Sequence, residues 1–151
     1  MDRAATGGDP HLFSFPQSRF TGSLDFSFSG VKTAALNQIN HLKMANEEIP
    51  LADFAASYQA AIVKVLVENT MEACLQKDCL RLCMAGGVSA NSHLRKMMKE
   101  AAKENHIMLS FPDPVLCTDN AAMIASAGYY QYIKGKRDDL SMNAYPSLAL
   151  S

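Results

Sequence analysis

The sequence predicts an α/β fold in which a small parallel or mixed sheet is covered by helices. Leu80–Ala85 has almost no polar alternation, as expected for a strand covered on both faces, and Ile107–Phe111 is predicted to be a second strand. An amphipathic helical pattern lies between them, and a strand, a helix and a strand within about thirty residues form a βαβ unit. Because such a unit returns the chain to the same edge of the sheet, we expect the two strands to be parallel.

The composition is that of an ordinary globular domain. The chain has 151 residues, of which 48% are hydrophobic and 19% charged, which is enough for one domain with its own core. Its formal net charge of −1 gives no overall attraction to nucleic acid or to membranes, so any such contact needs a local patch. No apolar run approaches the length of a membrane span, and the first residues lack the apolar core of a signal peptide.

The cysteines indicate a reducing compartment. There are four, and no two of them have the spacing of a structural zinc knuckle. Free thiols are the simplest interpretation, and a cytoplasmic location is therefore expected.

The first part of the chain is predicted to be poor in regular structure. Residues 1–25 contain scattered glycines and prolines and are expected to form a loop-rich segment, while residues 26–151 are expected to form the folded subdomain. Three aromatic side chains in or near this segment need a surface to pack on, either within the chain or beyond it; they are Phe13, Phe15 and Phe20.

The next two elements are a short strand and a helix. Leu24–Phe28 alternates apolar and polar residues, which predicts a strand. Ser29 and Gly30 are expected to end it, and a helix is predicted from Val31 to about Lys43.

Three further helices are predicted. The longest runs from Leu51 to about Gln76 and is expected to cover the sheet, with a polar stripe that includes Ser57 facing solvent. The helix of the βαβ unit is predicted to start at Ser89, with Leu94 and Met98 inward and its basic residues outward. The last helix is expected from Asp119 to about Lys134, followed by an irregular tail.

Two loops are the predicted location of a ligand. In open α/β sheets ligands bind beyond the carboxyl ends of parallel strands, and the loops Gly86–Asn91 and Pro112–Asn120 both follow such ends. Gly86 and Gly87 allow backbone to approach a base or a ribose, and Asn91 offers both a donor and an acceptor.

The second loop offers a candidate metal ligand. The carboxylate of Asp119 suits a cation. The alternative is that Asp119, or its neighbour Thr118, only caps the following helix.

The remaining polar residues indicate no further catalytic site. The four histidines lack metal-ligand spacing, and no His-Glu-x-x-His or Gly-x-Ser-x-Gly pattern is present. Cys117 is expected to be a buried structural thiol. Three lysines of the βαβ helix form a basic stripe, which is either a solvated face or a contact for a phosphate backbone; they are Lys96, Lys99 and Lys103.

Three blocks, in order and at compatible spacing, carry a family resemblance. They are Phe26–Thr33 (FSFSGVKT), Met84–Asn91 (MAGGVSAN) and Cys117–Met123 (CTDNAAM). The chain resembles, over about Gly8 to Leu150, the C-terminal part of the bacterial tRNA N6-adenosine threonylcarbamoyltransferases, formerly called O-sialoglycoprotein endopeptidases. The resemblance implies the C-terminal portion of an actin-like ATPase (ASKHA) fold.

The resemblance also implies a reaction. The family transfers a threonylcarbamoyl group from threonylcarbamoyl-adenylate to N6 of the adenosine next to the tRNA anticodon. By position, Asn91 would contact the adenylate, and Gly86 and Gly87 would line its nucleoside. The first block, Ser29, Gly30 and Lys32, is assigned to the same substrate-binding site.

A metal and several partners follow from the same resemblance. Asp119 would be a ligand of one metal ion, expected to be iron, with zinc as the alternative. The family's His-x-x-x-His pair of metal ligands is absent from this chain, so the chain alone is expected to be inactive. The implied partners are tRNA and the proteins TsaB and TsaE of the bacterial threonylcarbamoylation complex, with no membrane.

Two other functions are alternatives to the transferase. A non-enzymatic nucleotide-binding or interaction module of the same fold would keep these blocks without turnover. The older family name suggests a peptidase, but the sequence contains no recognisable set of peptidase catalytic residues.

Overall fold

The computed structural model describes residues 1–17 and 23–144, which contain four α-helices and two short strands. By residue contacts the chain divides into two compact units, residues 1–117 and residues 118–151. The α/β class is confirmed. In chain order the elements are α1 (Ser29–Met44), α2 (Leu51–Gln76), β1 (Arg81–Cys83), α3 (Ser92–Glu104), β2 (Met108–Ser110) and α4 (Ala121–Ile133), with 3₁₀ turns at Gly87–Ala90 and Pro114–Leu116.

The βαβ unit has the predicted parallel pairing. β1 and β2 run parallel with Leu82 opposite Leu109, and α3 is the crossover between them. The expectation that the strand within Leu80–Ala85 is covered on both faces is wrong for the described residues. Only the central residue of each strand is half-buried, because α2 and α3 cover one face, and the residues on either side are exposed.

Two hydrophobic clusters hold the first unit together. One lies between α2 and α3 and receives Leu82 and Leu109 from the sheet. The other joins α1 and α2 to Phe15. The 26-residue α2 contributes to both clusters and has the predicted bounds. None of the helices in the described ranges combines the length and apolarity needed to cross a membrane.

The predicted strand Leu24–Phe28 is wrong. Its described backbone has no ladder partner among the described residues. Instead Phe26 and Phe28 stack with ring centroids 6.1 Å apart, and Phe28 packs against the cluster of α1 and α2. Ser29 and Gly30 do not end a strand but form the start of α1.

The helices on either side of β2 begin later than predicted. α3 starts at Ser92 because Asn91 caps it, its Oδ1 accepting a hydrogen bond from Leu94 N at 2.8 Å. α4 starts at Ala121 because Asn120 Oδ1 accepts from Met123 N at 3.0 Å. The capping interpretation of Asp119 and Thr118 is therefore wrong.

The loop-rich N-terminal segment packs tightly on α2. Gly8 approaches so closely that an added Cβ would lie 2.1 Å from Ala52 O. Ser57, predicted to face solvent, is instead 2% exposed, and its hydroxyl donates to Asp9 O at 3.0 Å and accepts from Phe13 N at 3.1 Å.

The aromatic side chains of this segment also find their surface within the chain. The rings of Phe13 and Phe15 meet Phe54 at centroid distances of 5.2 and 5.4 Å. Phe20 lies outside the described residues, as does the end of the predicted irregular tail.

Candidate functional site

A cavity of the first unit lies beside the glycine turn that follows β1. Its volume is about 520 Å³, within the range of sites for small molecules. Three segments form its walls: the middle of α2, the stretch from the 3₁₀ turn into α3, and the first two residues of the chain. The lining is mostly apolar, and its residues are Met1, Asp2, Gln59, Ile62, Val63, Leu66, Gly87, Val88, Ala90, Asn91 and Leu94.

The glycine turn has a conformation that only glycine adopts easily. Gly86 has φ 86° and ψ 166°, and an added Cβ would meet no atom within 4 Å. The requirement for glycine is therefore one of backbone strain and not of space. Gly86 O accepts hydrogen bonds from both Ser89 N at 2.9 Å and Ser89 Oγ at 2.6 Å. These bonds close the turn and bring Gly87 to the cavity wall.

Asn91 is half-buried at the polar end of the cavity and has two structural bonds. Its Oδ1 caps α3, and its Nδ2 donates to Gln59 Oε1 at 2.9 Å. An amide has two donor protons and two acceptor lone pairs, so each atom retains one further bonding position. Asn91 can therefore hold the helix start and contact a ligand at the same time.

Asp2 completes this polar end. Its carboxylate accepts hydrogen bonds from Ser92 N at 3.0 Å and Ser92 Oγ at 2.9 Å, at the positive N-terminal end of α3. Burial raises the pKa of the Asp2 carboxyl, but the bonds from Ser92, a side-chain bond with Gln59 and the positive charge of the amino terminus together outweigh burial. The pKa of Asp2 is consequently below its usual value, and the carboxylate stays ionised.

Asp2 and Gln59 were not predicted as site residues. Asp2 meets Ser92 across 90 positions of sequence, which no local pattern reveals. Gln59 is 8% exposed in the middle of the long apolar helix. A polar side chain at a helix position otherwise suited to the core was the sequence signal that could have identified Gln59 as a site residue.

Behind the glycine turn, Arg95 joins the two loops at the carboxyl edge of the sheet. Its Nε donates to Ser89 O at 2.6 Å, and its Nη2 donates to Pro112 O at 2.7 Å and to Cys117 Sγ at 3.1 Å. Arg95 was expected to face water, and that expectation is wrong because these partners hold it half-buried. Cys117 is 4% exposed, so its prediction as a buried thiol is confirmed.

The other predicted site residues lie elsewhere. Ser29, Gly30 and Lys32 are exposed in the first turn of α1 and do not line the cavity. Asp119 is exposed in the second unit, just before α4. Across residues 1–17 and 23–144 no three His, Cys, Asp or Glu side chains are grouped as a metal site would require.

The chemistry of the cavity suits a flat apolar group attached to a polar one. Side chains such as Ile62 and Leu94 offer an apolar wall, and hydrogen-bonding groups are concentrated at Asp2, Gln59 and Asn91. A purine nucleoside has this division between a base that packs and a sugar that bonds.

Comparisons with known proteins agree on one family. The sequence profile described as "TsaD: tRNA N6-adenosine threonylcarbamoyltransferase" matches residues 1–126. Curated relatives named tRNA N6-adenosine threonylcarbamoyltransferase include those of Clostridium novyi (49% identical over 99% of this chain), Clostridium kluyveri (44% over 99%) and Desulfitobacterium hafniense (47% over 100%). The chain spans about 45% of the length of each of these relatives.

Proposed function

Because the chain belongs to the tRNA N6-adenosine threonylcarbamoyltransferase family, we propose that it is the C-terminal, adenosine-side part of a tRNA-modifying acyltransferase. The α/β arrangement with a parallel strand pair agrees with the actin-like ATPase fold of that family. The reaction proposed is transfer of threonylcarbamoyl from its adenylate to N6 of the adenosine next to the anticodon. We further propose that residues 26–151 belong to the C-terminal subdomain of the whole enzyme.

The cavity beside the glycine turn carries this proposal. Gly87 and Asn91, assigned to the adenylate from the sequence alone, both line it. In the proposed mode of binding the adenine packs on the apolar wall formed by α2 and the 3₁₀ turn. The ribose hydroxyls then face Asn91, Gln59 and Asp2, whose amide and carboxylate atoms match their donors and acceptors.

A bound metal is proposed to use Asp119. A carboxylate is a suitable ligand for iron or zinc, but one carboxylate does not make a site. The family's histidine pair would supply further ligands, and none of its residues is in this sequence. The chemistry that such an ion would supply is Lewis-acid polarisation of the carbonyl of the mixed anhydride. We accordingly propose that this chain alone binds metal weakly and does not turn over.

The RNA is proposed to meet the exposed face of α3. This face begins beside the cavity and carries the exposed ammonium groups of Lys96, Lys99 and Lys103. Such groups suit a phosphate backbone. tRNA and the partner proteins TsaB and TsaE are the macromolecules proposed to assemble with the whole enzyme, in the cytoplasm. Exposed apolar side chains of α4, such as Ile124 and Tyr129, support a protein contact.

The test is a calorimetric titration of the chain with adenosine monophosphate. Ala90→Phe inserts a ring into the cavity and is expected to abolish binding, whereas Val115→Phe, at a site that is 77% exposed and outside the cavity, should leave binding unchanged. Equal affinity of the two variants would contradict the assignment of this cavity. A wild-type chain that binds no adenosine monophosphate would contradict the proposed function itself.

A further inference from the structure

Arg95 is the strongest polar feature that the proposed function does not use. It lies on the basic helix α3 but differs from the exposed lysines of that helix because it is half-buried and its guanidinium bonds groups of the protein. Three hydrogen bonds of 2.6 to 3.1 Å join it to Ser89 O, Pro112 O and Cys117 Sγ. The partners belong to two loops, one after each strand of the βαβ unit.

The geometry of the guanidinium explains why arginine is needed here. Its central carbon lies over the ring of Phe111, 4.4 Å from the centroid, which is a cation–π distance. The edges of the same plane reach the two carbonyls, which a fork of fixed donors can do simultaneously. A lysine in this place has one compact ammonium and no planar face to stack.

The loop held by Nε is the one that forms the cavity wall. Ser89 lies between Gly87 and Asn91, and it is 2% exposed. Its N–H and hydroxyl both bond Gly86 O, while its own carbonyl is held by Arg95. Two side chains thus hold the turn: Asn91, which lines the cavity, and Arg95, which does not.

We propose that Arg95 is a positioning residue that fastens the glycine turn to the Pro112–Cys117 loop and thereby sets the shape of the nucleotide cavity. Its role in ligand binding rests on the proposed function, because it acts through Gly87 and Asn91 and touches no ligand itself. Loss of the guanidinium releases Ser89 O and Pro112 O together. Small displacements of positioning groups are known to cost up to about a hundredfold in function.

The experiment compares Arg95→Met, Arg95→Lys and the matched control Arg81→Met, which removes an exposed arginine of β1. Amide hydrogen exchange is followed in the whole chain by NMR, and adenosine monophosphate affinity is measured well below the melting temperature. The informative amides are those bonded inside the two loops, namely Ser89, Asn91, Leu116 and Cys117.

In Arg95→Met we expect exchange of these loop amides to accelerate at least tenfold while the amides of α2 stay unchanged, and the affinity to fall at least tenfold. Arg95→Lys should restore part of both effects, and Arg81→Met should change neither. A merely structural role predicts faster exchange throughout the chain and unchanged affinity of the folded fraction, which would overturn the proposal.

The result also separates this inference from the proposed function. If the wild-type chain binds no adenosine monophosphate, the proposed function fails, and the exchange of the two loops still decides whether Arg95 fastens them. If Arg95→Met does not fold, Arg95→Lys supplies the same comparison. If the loop amides of Arg95→Lys exchange at the same rate as those of wild type, the requirement for a guanidinium is overturned.

Discussion

Asn91 is expected to have two separable roles, and two substitutions distinguish them. Its Oδ1 caps α3 at 2.8 Å from Leu94 N, while its remaining bonding capacity faces the cavity. Asn91→Ala removes both roles, whereas Asn91→Ser keeps a capping oxygen and removes the amide. Both variants lose the bond from Nδ2 to Gln59 Oε1, so the difference in stability between them isolates the cap. The two variants should therefore differ in stability but have the same defect in ligand binding.

The magnitudes follow from the hydrogen bonds that each variant removes. Loss of the cap costs about 1 kcal/mol, which lowers the melting temperature of a domain of this size by about 2–4 °C. Loss of one hydrogen bond to the ligand, about 0.5–1.5 kcal/mol, weakens the affinity for adenosine monophosphate by about 2- to 12-fold. Thermal unfolding monitored by circular dichroism measures the first effect, and calorimetric titration measures the second.

One pattern of results would refute this reasoning. If Asn91→Ser binds adenosine monophosphate as tightly as wild type while Asn91→Ala binds it weakly, the affinity follows the cap and not the amide. Asn91 would then be a helix cap alone. Asn120→Ala serves as a control, because Asn120 caps α4 in the same way but does not line the cavity.

Three further outcomes are expected. Gly86→Ala forces a side chain onto a backbone with φ 86° and should lower the free energy of unfolding by about 1–3 kcal/mol, measured by urea denaturation. Asp2→Asn removes a carboxylate whose pKa is lowered in the folded state. Wild type should therefore be more stable than this variant above pH 3.8, the usual pKa of the group. That advantage should be lost as the pH falls through the lower folded pKa. The third substitution replaces Lys96, Lys99 and Lys103 by glutamine and should weaken tRNA binding. It should also reduce the slope of log K against log salt concentration by up to about 0.9 for each phosphate that is no longer neutralised.

Each of these outcomes has its control. Gly128→Ala places the same methyl group in the open at a helical position of α4 and should raise helix stability by up to about 1 kcal/mol, so destabilisation by both glycine variants would contradict the argument from φ. A stability difference for Asp2→Asn that persists unchanged after the pH has fallen through the lowered folded pKa would show that charge is not its cause. Lys64→Gln tests non-specific charge loss, because Lys64 lies on α2 beside Glu68.

The parts of the fold that could be predicted are those whose signals are local. The bounds of α2, Leu51 to Gln76, were predictable because Pro50 precedes the helix and the polar turn at Lys77–Asp78 follows it. The strand prediction for Leu24–Phe28 failed because alternation of apolar and polar residues does not by itself supply a ladder partner. Phe28 packs on the cluster of α1 and α2, whereas Phe26 is 47% exposed and stacks on Phe28.

The same distinction applies to the site. Gly86, Gly87 and Asn91 are close in sequence, and a glycine pair between a strand and a helix is a recognisable pattern. Arg95 could not be predicted, because a periodic pattern assigns it to the exposed face of its helix and its partner Pro112 O comes from a loop 17 residues away. Whether a charged residue on the predicted exposed face of a helix bonds other parts of the protein depends on the tertiary structure.

The bond between Asp2 and Ser92 joins the start of the chain to a residue 90 positions later. The cavity is therefore a non-local structure, complete only when the first residues have docked on α2 and α3. A nucleotide that binds the docked form shifts the equilibrium of local unfolding toward it, by about 2.7 kcal/mol at a ligand concentration about a hundred times Kd. Protection of the N-terminal segment from proteolysis would then report on occupancy of the site.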